Sequence, residues 1–195
     1  MIIAWIFLAA VACTAQGEAV GGARSTTAGA DRLTELVAQL GALDREARGS
    51  AVRELYRIGD PAIPELIRAL RSPQDTARIS AALLLGWRGP AAAPAVTALI
   101  AALDDENYKV RINALFALRA IGPGAYSSVP CILDALKDTD ALVRENAAAT
   151  LKTFGKAAAR ALDALETLAR EDKDEKVRAQ AKAAAEKIRQ AQERP

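Results

Sequence analysis

Residues 105–122 read DENYKVRINALFALRAIG, with Pro123 next. An acidic turn comes first, then a β-branched residue and Arg111, an apolar stretch and a glycine. Val110, Ala114, Leu115, Leu118 and Ile121 fall on one side of a helix with 3.6 residues per turn. Gly122 is expected to end that helix in a left-handed conformation, and Pro123 to stop its continuation.

The same ingredients recur in the same order. Arg48, Arg78, Arg111, Arg144 and Arg178 lie 30, 33, 33 and 34 residues apart, and Gly59, Gly89, Gly122 and Gly155 each follow their arginine by 11. A period in this range marks stacked helical pairs, none able to bury its apolar face alone. The predicted architecture is all-α, a right-handed α/α superhelix (solenoid) of about four helical pairs with terminal capping helices.

Working outward, Asp31 is the expected N-cap of a first capping helix ending at Gly41. Pairs follow at about 44–71, 74–103, 105–137 and 139–170, and a last polar helix, about 174–192, lacks a partner and serves as the other cap. Pro61, Pro64, Pro90 and Pro94 stand where a first helical turn tolerates proline. Measured from glycine to proline, the linker GAYSSVP is three residues longer than its counterparts, so Tyr126 is expected on an irregular bulge.

The 195 residues are 51% hydrophobic and 26% charged, which suits a folded body, and only 4% aromatic. The formal net charge of +2, from 26 basic and 24 acidic residues, lacks the basic excess of a nucleic-acid binder. Histidine is absent, removing the commonest general base and the commonest metal ligand. No catalytic, cofactor-binding or metal-binding residue is assigned, and no cofactor is expected. Cys131 reads as a buried structural thiol.

Residues 1–15 read as an export leader, with an apolar run from Met1 to Cys13 too short to span a bilayer. No Lys or Arg precedes the run, so the amino terminus supplies the positive charge or a basic segment lies before Met1. Cleavage after Ala15 gives a soluble product. Alternatively, Ala10-Val11-Ala12-Cys13 resembles the bacterial lipobox, which implies lipidation at Cys13. Residues 16–30 are a flexible linker by composition, and 31–195 the repeat domain. The expected location is outside the cytoplasm: periplasmic, secreted, or tethered to the envelope through Cys13, the chain's sole membrane contact.

The repeated pattern, Asp–x–Val-Arg–Ala–Ala–Leu–Ile-Gly-Pro–Ala–Pro–Leu, resembles HEAT repeats, particularly the short bacterial kind also seen in phycobilisome-lyase-like proteins. The resemblance covers about Asp44 to Arg189. It implies that the arginines pair with aspartates in a ladder along the stack, read here within each turn: Asp44 with Arg48, Asp75 with Arg78, Asp105 with Arg111, Asp140 with Arg144, Asp174 with Arg178. The competing reading is a basic track for phosphate or acidic peptides. The resemblance also implies that the second helices line the concave surface, which makes Glu65, Arg68, Arg71, Thr97, Ser128, Asp134, Lys137, Asp163 and Glu166 candidate protein-binding residues. Trp87, Tyr108 and Tyr126 are candidate aromatic anchors, the alternative for Trp87 being burial between repeats.

The functional expectation is a non-catalytic, monomeric protein-interaction scaffold. An enzyme of the lyase or HEAT-like hydroxylase type is the alternative; the hydroxylase holds di-iron through His-Glu pairs, which this chain cannot supply. Weak nucleic-acid binding is a further alternative, against which the near-neutral charge argues.

Overall fold

The computed structural model describes residues 25–193. Ten α-helices run through them: α1 (Ser25–Gln39), α2 (Arg45–Ile58), α3 (Ile63–Ala69), α4 (Asp75–Arg88), α5 (Val96–Ala101), α6 (Tyr108–Ile121), α7 (Val129–Ala135), α8 (Ala141–Phe154), α9 (Leu162–Glu171) and α10 (Glu175–Glu193). No strand occurs among the described residues. The pairs are α2/α3, α4/α5, α6/α7 and α8/α9. At one end α1 packs on α2 and α3, and at the other α10 packs on α8 and α9. The chain is an all-α solenoid.

Periodicity places the core. Ala51, Ala81, Ala114, Ala147 and Ala181, each three residues after its repeat's arginine, are wholly buried, as are Leu55, Leu85, Leu118 and Leu151 four residues later. The small alanines at these buried positions let helices approach closely, and the leucines fill the core beside them.

Each pair turns on a glycine at positive φ: Gly59 at 83°, Gly89 at 56°, Gly122 at 70° and Gly155 at 53°. Gly122 has ψ −128°, so the conformation is not the left-handed helical one expected. It lies in a region glycine alone enters readily, a stricter requirement. A 3-10 corner follows each glycine.

The corners correct the linker reading. The second helix begins at Val96, Val129 and Leu162, seven positions after Gly89, Gly122 and Gly155, but at Ile63, four after Gly59. The first corner is therefore the odd one, and its missing residues explain the shorter first spacing between arginines. Pro130 is equivalent to Pro64, both the second residue of a helix, whereas Pro94 lies inside its corner. Proline fits both places, so it is a poor register mark.

Two further expectations change. Residues 25–30, read as the linker's end, are helical, and Asp31 sits inside α1 rather than capping it. The leader and Cys13 lie outside the described residues. Helix α10 has partners, and Val177, Ala181, Ala184, Ala185 and Ile188 are buried.

Candidate functional site: the outward face of the first helices

The arginine ladder runs between repeats. Arg78 Nε donates to Asp105 Oδ2 at 2.6 Å and Nη2 to Asp105 Oδ1 at 3.0 Å. Arg111 meets Asp138 at 2.7 and 2.8 Å, and Arg144 meets Asp172 at 2.6 and 2.8 Å. Each Nη1 donates backward to its own turn: Arg78 to the Ser72 and Pro73 carbonyls, Arg111 to Asp105 and Glu106, Arg144 to Asp138 and Thr139. One guanidinium thus fastens two successive turns, and the planar fork suits the task in a way an ammonium would not.

The pairing within each turn expected from sequence does not occur. Asp44, Asp140 and Asp174 are spent on helix caps, accepting from the amides of residues 46 and 47, 142 and 143, and 176 and 177. Asp75 accepts from Asn107 Nδ2 at 2.8 Å. Asp105, Asp138 and Asp172 take the fork, each also receiving the amide two residues ahead. Sequence reading missed Asp138 and Asp172, although the D-x-D spacing within each turn held the signal. Ser72 replaces the aspartate Arg48 would need, so Arg48 reaches only the Ala42 carbonyl, and Arg178 grips only its own turn. The Asp172 carboxyl is held below the ordinary aspartate range by the Arg144 hydrogen bonds, against the opposing effect of burial. In the three complete rungs both donors and acceptors are consumed, so those rungs are structural and leave no continuous track for a ligand.

The faces are also reversed. Helices α4, α6, α8 and α10 stack directly on one another, while α3, α5 and α7 meet the next repeat at its first helix and its corner more than at its second helix. In a curved stack of two layers, the layer with closer neighbours lies inside. The first helices therefore form the inner face, and the second helices the outer.

Among the residues expected on the concave side, Ser128 is wholly buried and donates to the Ala125 carbonyl at 2.6 Å. Glu65 pairs with Arg68 on its own helix, and Glu166 with Arg189 of α10. Arg71, Thr97, Asp134, Lys137 and Asp163 are exposed on the outer layer. They form no cluster of one chemistry.

Residues one, five, eight and nine positions after each arginine share the outward face of a first helix, because spacings of three and four repeat along it. On α2 these are Gly49, Arg53, Tyr56 and Arg57; on α4, Ile79, Leu83, Gly86 and Trp87; on α6, Ile112, Phe116, Arg119 and Ala120; on α8, Glu145, Ala149, Lys152 and Thr153. All but Gly86 are half-buried or exposed. Gly86 lies beneath the Phe116 ring, where an added Cβ would collide with it.

Trp87 is 46% exposed, so it does not fill the inter-repeat core. Its ring meets Tyr56 edge-on at 5.7 Å between centroids, and Arg88 lies 4.7 Å over the Tyr56 ring. Arg119 stands 5.9 Å over Phe116. These contacts hold the aromatic rings in a fixed arrangement at the surface. The other two tyrosines are elsewhere: Tyr126 packs edge-on against Phe154, and Tyr108 borders a shallow depression along the turns with Asn107, Arg111 and Asp140.

Cys131 is half-buried, free, and packed against the core. Among the described residues, no three His, Cys, Asp or Glu side chains are placed to hold a metal, and every buried side-chain polar atom has a partner.

Residues 33–101 and 96–186 match the family profile of HEAT repeats, so the chain belongs to the HEAT-repeat family. Among solved structures it is similar to the complex of CpcE and CpcF of phycocyanin lyase from Nostoc sp. PCC7120, at 20% identity and TM-score 0.68, over 80% of this chain and 98% of that one. It is similar to a designed armadillo repeat protein in complex with peptide (KR)4, at 19% identity and TM-score 0.60, over 83% of each. It also resembles the archaeal HEAT-like repeats protein from Thermococcus onnurineus NA1, at 17% identity and TM-score 0.50, over 80% of each. These likenesses concern the fold. No curated protein matches the chain.

Proposed function

We propose that this chain is a non-catalytic protein-interaction scaffold that engages its partner along the inner face of the first helices. The observation that carries the reading is the set of exposed Tyr56 and Trp87 and half-buried Phe116 on the outward faces of α2, α4 and α6, bordered by arginines. Large rings held at a surface bind partners at little cost in ordering, as interface anchors do. The solenoid carries them on rigid elements. Peptide binding in the designed armadillo neighbour is in keeping with such a use.

A non-catalytic role draws on the side-chain inventory. The chain has no histidine, and its ladder acids and arginines are committed to one another. The protein acts outside the cytoplasm, exported by residues 1–15 and either released or tethered through Cys13, and it acts as a monomer.

Two experiments test this. A photo-crosslinking residue at Arg57, on the inner face, should capture a partner that the same residue at Arg68, on the outer face, does not. Capture only from Arg68 would overturn the assignment of the face. The mass of the mature amino terminus tests export: a chain that retains Met1 would contradict it.

A further inference from the structure

The twelve outward positions of α2, α4 and α6 carry Arg53, Arg57 and Arg119, and no carboxylate. The remaining side chains there are apolar or aromatic. The acid nearest them on α2, Glu54, is taken up by Arg32, whose Nε and Nη2 donate to it at 3.2 and 2.8 Å. Arg53, Arg57 and Arg119 form no ion pair among the described residues, although Arg88 beside them approaches Asp60 at 4.0 Å. Cationic side chains thus border an apolar strip with only Glu54, in the field of Arg57, and Asp60, near Arg88, to offset them, and an anionic occupant would complete the charge.

The geometry points to the occupant. We propose that the inner face of α2, α4 and α6 binds an extended acidic peptide segment, its carboxylates on Arg53, Arg57 and Arg119 and one large apolar side chain against Trp87 and Phe116. This rests on the reading of the inner face as the binding surface. Three helices about 10 Å apart span roughly 20 Å, the length of about six extended residues. A single extended chain laid across the three helices reaches all of these side chains. Guanidinium forks match carboxylates in pairs, so Asp and Glu are the side chains that satisfy them.

The test is selection of random peptides of about twelve residues, displayed on phage, against the full chain and its variants. The expected result is enrichment of net-acidic peptides containing Leu, Phe or Trp. Enrichment should fall roughly tenfold for Trp87→Ala and for Arg57→Glu/Arg119→Glu, with helical circular dichroism unchanged. Rising salt should weaken the selected peptides. Basic or uncharged peptides lost in Trp87→Ala would overturn the charge assignment while leaving the inner face as the binding surface. Enrichment indifferent to both variants, or no enrichment at all, would overturn the proposal, the second independently of the crosslinking result. Tighter binding of a fluorescent oligothymidylate than of any peptide, lost in the arginine variant, would assign the face to nucleic acid instead.

Discussion

Phe116 of α6 occupies the space that a side chain on Gly86 of α4 would fill: a Cβ built there falls within the ring's van der Waals envelope and 3.3 Å from the Ala117 Cα. The glycine is thus a socket, needed for what its neighbour places there rather than for its own backbone. Gly86→Ala should destabilise the fold by about 1–3 kcal/mol and push the Phe116 ring outward. Adding Phe116→Leu should recover part of the loss. A thermal melt of the two variants checks this, and no recovery would show that the backbone contact dominates.

Gly122 presents the opposite case. Nothing lies within 4 Å of a Cβ added there, yet φ is +70°. Gly122→Ala should therefore cost about 1–3 kcal/mol through backbone strain alone. Chemical denaturation should show the loss, and an unchanged midpoint would mean that the corner relaxes to another conformation.

Arg111 joins the Asp105–Glu106 turn to Asp138 with both carboxylate oxygens engaged. Arg111→Ala leaves Asp138 without its counter-ion in a largely buried site, and stability should fall by about 3 kcal/mol. Arg111→Lys should fall nearly as far, since one ammonium cannot make both halves of the fork. Peptide affinity measured below the melting transition should stay the same. A loss of affinity with full stability would revive the basic track.

Asp172 sets an acid limit. Its folded-state pKa is below that of the unfolded chain, so the stability it contributes is present above the ordinary aspartate pKa of about 3.9 and drains away as pH falls toward the folded value. Melting temperature should drop on acidification below about pH 4. Asp172→Asn should lower stability at neutral pH and flatten that acid decline. Equal acid slopes for the two proteins would place the titrating group elsewhere.

The period of Arg and Gly made the solenoid legible, because buried positions such as Ala114 and Leu118 follow directly from helical spacing. Three things were hidden. The partner of each arginine is 27 or 28 residues away, while a nearer acid in the same turn looked suitable and was in fact a cap. The corner register was read from proline, which tolerates more than one place. The inner face depends on which layer is compressed, a property of side-chain volume rather than of order within the pair. The small residues at Ala81, Gly86, Ala114 and Ala147 carry that information, since close stacking requires them. Trp87 was a candidate anchor, but neither its exposure nor the contacts around it with Tyr56 and Arg88 could be read from the sequence.

The ladder begins one repeat late. Arg48 finds Ser72 where Arg78, Arg111 and Arg144 find aspartate, and α2 touches α4 far less than α4 touches α6. In an array whose units hold only their neighbours, stability is a chain of couplings, and the weakest coupling decides where cooperativity breaks. The first three helices should then open as a separate unit, exchanging their amide hydrogens earlier than α4 to α10. Tyr56 and Trp87 stand on opposite sides of that seam, so a partner gripping both would act as the rung that the sequence omits.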